Sequence, residues 1–300
     1  MPELPDITVY LDALSKRVLD QPLQAIRLSS VSLLRSVDPP LSDFEGLPLR
    51  ELRRLGKRIV FGFPDERFLV LHLMIAGRLQ FRTRGAKPPG RRGHAAFDFP
   101  TGTLLLTEAG TKKRATLHAV RGKAALAEHD PGGVEVLDCE LSEFREALQR
   151  RNHTLKRALT DPSLVSGIGN AYSDEILHRA RLSPVKLTQK LDDDELATLF
   201  RATRETLREW IERLRANSGN AFPEKVTAFR PEMAVHGKYQ KPCPACHAPV
   251  QRIVHAHNET NYCARCQTGG RLLADRALSR LLKKDWPRTL EELEARRSDP

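Results

Sequence analysis

Four of the chain's five cysteines fall in two tight pairs, Cys243-Pro-Ala-Cys246 and Cys263-Ala-Arg-Cys266, with sixteen residues between the pairs. Thiolates at this spacing can close on one ion as a tetrahedron, which fixes two turns in a stretch too short to bury a core of its own. Metal binding then supplies most of that stretch's folding free energy. Between the pairs, Val250 to Val254 and Thr260 to Tyr262 alternate in polarity, so a two-stranded hairpin is expected, making a zinc ribbon rather than a finger with a helix. Four sulfur ligands leave no open position, so the expected cofactor is one structural Zn2+ held by Cys243, Cys246, Cys263 and Cys266. Paired cysteines of this kind suit a reducing compartment, and Cys139 reads as a small buried residue.

Lys and Arg total 49 against 38 Asp and Glu, a net charge of +11, so the expected partner is a polyanion, nucleic acid first. Three hundred residues with 40% hydrophobic content are enough for about two domains with sizeable cores. The first twenty residues show no basic leader followed by an apolar core, and no apolar run could span a bilayer. Neither secretion nor a membrane partner is expected.

Ile7, Tyr10, Leu11 and Leu14 recur at helical spacing, predicting a helix capped by Asp6 and running to about Val18. From about residue 24 to 127 short β-rich runs are punctuated by Gly and Pro: Ala25 to Val31, Leu52 to Phe63, Phe68 to Leu73, Gly77 to Phe81, Ala95 to Phe99 and Leu104 to Glu108. This predicts an antiparallel sandwich or barrel, with Arg82 to Gly93 as a basic loop. After His129-Asp130-Pro131-Gly132-Gly133 the pattern turns helical, over Ser142 to Arg151, His153 to Leu159, Ala171 to Ala180 and Asp193 to Ala216. The expected divisions are an N-terminal domain over 1–128, a linker over 129–140, a helical domain over 141–236, the ribbon over 237–268 and a helical tail over 269–300.

The chain opens Met1-Pro2-Glu3-Leu4-Pro5. Trimming of Met1, usual before a small residue, leaves Pro2 as a secondary amine beside the Glu3 carboxyl. An α-amine titrates near pH 8 in the absence of perturbation, so part of it is neutral at pH 7 and can attack a carbonyl-like carbon to give an iminium. The same four residues also suit a stiff entry to a helix. Further on, Leu164-Val165-Ser166-Gly167-Ile168-Gly169-Asn170 joins two helical patterns. Glycines at a helix start let backbone N–H groups approach a phosphate, although they serve equally as a helix stop.

Together, Pro2-Glu-Leu-Pro5, Gly167-Ile-Gly-Asn170-Ala-Tyr-Ser-Asp-Glu175 and the ribbon, in this order over about residues 1 to 268, resemble the formamidopyrimidine-DNA glycosylase/endonuclease VIII family. The resemblance implies a two-lobed α+β fold, with an N-terminal antiparallel β-sandwich flanked by helices, a helix-two-turn-helix domain plus the zinc ribbon, and DNA bound between the lobes. It implies Pro2 as the nucleophile that attacks C1′ of a damaged nucleotide, Glu3 as the acid/base at the sugar ring oxygen and Lys57 as a catalytic lysine that contacts phosphate. It further implies His72 and Asn170 as phosphate contacts and Glu175 as a family acid. The implied partner is double-stranded DNA containing damaged bases or abasic sites, engaged by a monomeric, cytoplasmic and nucleoid-associated protein.

Several positions depart from the family pattern. Asn258 stands where the best-known members carry a phosphate-gripping arginine, with His255, His257 and Arg265 as nearby substitutes. Ile75 replaces a void-filling methionine, and Lys112, Lys113 or Arg114 stand in place of the usual arginine and aromatic wedge. The segment Phe222 to Gly237 is shorter than the 8-oxoguanine-capping loop. The tail carries Leu272, Leu273, Leu278, Leu281 and Leu282 at helical spacing, and packing onto the helical domain is expected. The leading expectation is a bifunctional glycosylase/AP lyase of formamidopyrimidine/8-oxoguanine type acting by β,δ-elimination. The alternatives are an oxidised-pyrimidine or mainly abasic-site enzyme, and a non-catalytic damage-binding protein.

Overall fold

A computed structural model describes residues 1–110, 112–255, 258–274 and 276–298, without the side chains at 255, 258, 276–278 and 297–298. By internal contacts the chain divides into two compact units, Met1–Gly132 with Arg208–Ala228, and Gly133–Leu207 with Phe229–Pro300. The segment Arg208–Ala228 therefore groups with the N-terminal unit. No helix among the described residues is long and apolar enough to cross a membrane.

The first unit opens with α1 (Leu4–Val18), which starts two residues before the expected cap. Glu3 is the cap: its side chain accepts a backbone N–H of the first turn, while its own N–H donates to the Asp6 carboxylate at 3.0 Å. Pro5 sits in that first turn, where a missing N–H costs nothing. β1 (Ala25–Leu28), β2 (Glu51–Leu55), β3 (Arg58–Phe63), β4 (Arg67–His72), β5 (Gly77–Arg82), β6 (Gly93–Phe99), β7 (Gly102–Glu108) and β8 (Thr116–Arg121) follow. They form two antiparallel four-stranded sheets, in the orders β1-β6-β7-β5 and β2-β3-β4-β8. The run Leu52 to Phe63 is a hairpin of two strands broken at Gly56, whose φ of +60° a side chain would resist.

Strand alternation sorts the residues of the second sheet. Ile59, Phe61, Leu69, Leu71, Leu117 and Ala119 enter a core shared with Leu79, Phe97, Leu104 and Leu106 of the first sheet and with Ile7, Tyr10 and Leu14 of α1. Phe61 and Phe97 stack across it, centroids 6.2 Å apart. Truncating either would cost about 3–5 kcal/mol. The opposite face carries Val60, Phe68, Val70 and Val120, covered by Leu126 of α2 (Lys123–Ala127). Arg58, His72, Thr116 and His118 share that outer face by register.

In the second unit α3 (Leu141–Gln149), α4 (Leu155–Thr160) and α5 (Asn170–Arg179) pack on the buried Phe144, Leu148, Leu159, Ile168 and Tyr172. Thr154 caps α4. Gly167 takes φ +80°, and Gly169 is the N-cap of α5. α6 (Asp193–Ser218) is the long helix expected, and its last part lies in the first unit. The ribbon hairpin is β9 (Gln251–His255) with β10 (Asn258–Tyr262), followed by α7 (Ala264–Thr268).

The tail forms α8 (Arg276–Leu282) and α9 (Leu290–Ser298). Rather than covering the helical bundle, it docks on the ribbon. Leu290 is fully buried in a cluster with Val235, Cys243, Ala248, Val250 and Cys263, and its N–H donates to the Gly270 carbonyl at 2.9 Å. The ribbon has too little apolar surface for a core, and the tail supplies the missing side chains.

Candidate functional site

In the first unit, Pro2 and Glu3 are both buried and Met1 is half-buried. The terminal amine of Met1 lies below its ordinary value, chiefly through burial. Arg78 and Lys57 push it the same way, against the carboxylates of Glu3 and Asp6. An amine in this enclosure is held toward its neutral, nucleophilic form. Lys57 is half-buried in the turn of the β2–β3 hairpin, immediately after Gly56.

His72 ends β4, paired in register with Arg58 on one side and Thr116 on the other. Burial, then the charges of Arg58 and Lys57 and the His118 ring, push it down to about 4, so it stands neutral at pH 7. Ile75 is 55% exposed at the tip of the β4–β5 turn. Met74 before it takes φ +52°, and a Cβ at Gly77 would lie 2.2 Å from the Leu73 carbonyl oxygen. The turn is thus tight enough to require glycine at Gly77 and to present an apolar side chain to water. Arg78 braces it, donating to the carbonyls of Ile75 at 3.2 Å, Gly77 at 2.7 Å and Val226 at 2.6 Å.

Lys112 and Arg114 are exposed and Lys113 half-buried, in the loop between β7 and β8; Thr111 lies outside the described residues. The base of this loop is fixed by Glu108, which is 2% exposed. Its carboxylate accepts the N–H of Arg114 at 2.9 Å and of Ala115 at 3.2 Å, and His94 Nε2 lies 3.1 Å away. Neither Glu108 nor Arg78 stood out in the sequence, because an acid ending a strand and an arginine starting one are commonplace.

In the second unit, Asn170 is the first residue of α5, and its Nδ2 donates to the Glu259 carbonyl of β10 at 2.9 Å. Lys156 Nζ donates to the Asn170 carbonyl at 2.7 Å and to Asp174 at 2.5 Å. Glu175 accepts three backbone N–H groups, from Ala234 at 2.7 Å and from Val235 and His236 at 2.9 Å each. It is thereby an anchor for the chain leading into the ribbon. Asp174 takes His236 Nδ1 at 2.8 Å and Asn261 Nδ2 at 3.4 Å. Asn258 begins β10 opposite His255, with both side chains outside the described set, as is the whole of His257. Arg265 donates to the Cys246 carbonyl at 3.4 Å, within the ribbon itself.

The sulfurs of Cys243, Cys246, Cys263 and Cys266 lie within 4.8 Å of one another. Burial pushes the Cys266 thiol up to about 11 and the Cys263 thiol higher still. Thiolates held this close repel one another, and a cation among them offsets that repulsion. The all-sulfur donor set fits one structural Zn2+ with no position left for substrate.

Three family models match: the formamidopyrimidine-DNA glycosylase N-terminal domain over residues 1–117, its H2TH domain over 133–220, and the zinc finger found in FPG and IleRS over 240–269. The formamidopyrimidine-DNA glycosylase of Heliobacterium modesticaldum is 31% identical over 281 residues, covering 89% of this chain and 100% of that protein. The chain belongs to the formamidopyrimidine-DNA glycosylase family. This is a family of base-excision-repair DNA glycosylase/AP lyases. The homologue from Pelotomaculum thermopropionicum is 30% identical over 287 residues, with 89% and 99% of the two chains covered.

Among solved structures, the Lactococcus lactis Fpg in complex with abasic-site DNA is similar at a TM-score of 0.78 and 26% identity, covering 89% of this chain and 99% of that one. MutM in complex with DNA containing carbocyclic 8-oxo-G matches at 0.78 and 26%, covering 89% and 100%. The expected antiparallel sheets, helices, H2TH domain and zinc finger are those of the family.

Proposed function

We propose that the chain is a bifunctional DNA glycosylase/AP lyase that removes oxidised bases of formamidopyrimidine/8-oxoguanine type from double-stranded DNA, acting as a monomer on nucleoid DNA. The observation that carries this reading is the enclosed terminal amine, lowered by burial and by Arg78 and Lys57 beside the carboxyl of Glu3. With Met1 removed, the Pro2 nitrogen attacks C1′ of a nucleotide flipped from the duplex, and the bond from C1′ to the base breaks. Flipping costs a few kcal/mol, least at damaged pairs. Glu3 delivers a proton to the ring oxygen as the sugar opens to an iminium. The iminium acidifies the C2′ hydrogen; its loss expels the 3′ phosphate, and a second elimination expels the 5′ phosphate. Lys57, His72 and Asn170 hold backbone phosphates, while Ile75, Lys112, Lys113 and Arg114 fill the space left by the everted base. Asn258 takes the place of a charged ribbon contact. Zinc holds the ribbon's shape and takes no part in bond breaking.

A second substrate reading, oxidised pyrimidines or mainly abasic sites, is favoured by the branched Ile75 at the exposed turn tip. A panel of duplexes carrying single oxidised purines, oxidised pyrimidines or abasic sites separates the two. Borohydride trapping tests the chemistry. Wild type should attach covalently to abasic-site DNA and Pro2→Gly should lose at least nine-tenths of the adduct. No adduct with processed wild type would leave only a damage-binding protein.

A further inference from the structure

The outer face of the second sheet ends in a group of cations and imidazoles. Arg58, His72 and Thr116 form one cross-strand row, and His118 lies in the next row on the same face, opposite Val70. The chain leaving α2 brings His129 over this row, its ring centroid 4.6 Å from that of His118. Arg35 reaches the group from the segment whose N–H donates to the Leu117 carbonyl. All four residues of the inner group, Arg58, His72, His118 and His129, are half-buried.

What this group lacks is a directly paired counter-charge. Among the described residues no carboxylate lies within ion-pair distance of Arg58 or of the three rings. The acids that act on them are Asp130, on Arg58, and Glu128, on His129. Asp130 turns its carboxylate to the Gly132 N–H at 2.9 Å. A guanidinium removed from water without a partner is costly, and three imidazoles beside it are disfavoured in their charged form. Accordingly burial, and then their mutual repulsion and that of Arg58, hold His72, His118 and His129 below the ordinary histidine value. A strand phosphate held here would supply the missing counter-charge to the guanidinium and to the rings.

We propose that Arg58, His118 and His129 form, together with His72, a cradle for one backbone phosphate of the bound DNA strand, extending the phosphate contacts beyond Lys57. The phosphodiester stays a monoanion and an imidazole takes a proton from solvent as the anion arrives, so binding and proton uptake are coupled. Tight turns after Gly56 and before Gly132 make the mouth of the cradle, where the Cβ position of Gly56 is 3.8 Å from the Pro131 ring. The groups facing it are Arg58 and Lys57 from the β2–β3 hairpin, His72 from β4, and His118 from β8. Glu128, His129 and Asp130 follow α2, and Arg35 comes from the strand-like segment beside β8. Cations and imidazoles outnumber the two acids.

The inference rests on the DNA-repair reading above, and fluorescence anisotropy with an abasic-analogue duplex separates the two. For wild type, affinity at matched ionic strength should rise about tenfold from pH 8 to pH 6, since a linked proton is worth up to a factor of ten per pH unit. Arg58→Gln should weaken binding about tenfold and flatten the log–log salt slope by about 0.9, the value for one phosphate contact. Arg58→Lys should restore the slope. The double variant His118→Asn, His129→Asn should lose most of the wild-type gain in affinity between pH 8 and pH 6. Inorganic phosphate at millimolar concentration should leave the wild-type histidine resonances unshifted, whereas the duplex should shift them. Variants that are folded and zinc-loaded, yet show wild-type slope and pH response, would overturn the cradle and leave the enzyme reading untouched. Wild type that neither binds the duplex nor traps on it would overturn both.

Discussion

His178 Nε2 lies 3.2 Å from the Sγ of Cys243, tying the last turn of α5 to the first zinc knuckle. At the same end of the ribbon, Gln267 accepts the Cys263 N–H at 2.8 Å and donates to the Leu182 carbonyl at 2.9 Å. At the other end of α5, Asn170 meets Glu259 of β10. The helix that carries Asn170 is therefore clamped by the ribbon at both ends. Groups that orient a metal ligand typically contribute ten- to a hundredfold to metal affinity. His178→Ala should lower zinc affinity by about that factor in competition with a chromophoric chelator, and an unchanged affinity would show that the contact is incidental.

Removing the metal should affect the two units unequally. The ribbon's apolar cluster is built around Cys243 and Cys263, whereas the sandwich core contains no ligand. Metal analysis should find about one zinc per chain, and chelation should abolish binding to abasic-site DNA while the β-sheet circular dichroism persists. Simultaneous loss of both signals would contradict this division.

Glu175 is the acceptor for three successive backbone N–H groups of residues 234–236. Glu175→Gln keeps the volume but turns an amide N–H2 toward one of those donors. Leaving a buried donor without an acceptor costs about 1–3 kcal/mol, so urea unfolding should show a loss of about 2–3 kcal/mol. A change below about 0.5 kcal/mol would mean that the segment finds other acceptors.

Acid should weaken the first unit before its carboxylates titrate. His72 is held at about 4 in the folded protein against an ordinary 6.5, and His118 and His129 are also lowered. The unfolded chain thus binds more protons between about pH 6.5 and pH 4, and stability rises with pH across that window. The histidine contribution is fully present above pH 6.5 and is lost as pH falls toward 4. Urea midpoints measured from pH 7 to pH 4 should fall, and His72→Asn should make the fall shallower.

Much of this was legible in the residues themselves. The cysteine spacing, the β9–β10 hairpin and the inward Ile7, Tyr10 and Leu14 of α1 follow from local pattern, because ligand geometry and helical period act over short distances. β8 was not legible: Thr116-Leu-His-Ala-Val-Arg121 has a single strong apolar pair and becomes a strand by pairing with β4. Helix α1 begins at Leu4 because Glu3 and Asp6 exchange hydrogen bonds, a reciprocity that the sequence allows without requiring. The supporting groups Glu108, Arg78 and Asp174 are ordinary charged residues, and only the fold aims them at a loop, a turn and a lysine. The tail's docking on the ribbon also depends on contacts between segments, which periodicity alone does not assign.

Mass spectrometry of the borohydride-reduced complex shows whether the Pro2 nitrogen forms the covalent bond to DNA. After nuclease and protease digestion of the product with an abasic-site duplex, the expected species is an N-terminal peptide lacking Met1 and carrying the sugar remnant on Pro2. A remnant on Lys57 or another lysine, or Met1 still attached in protein that nicks the duplex at full rate, would contradict it.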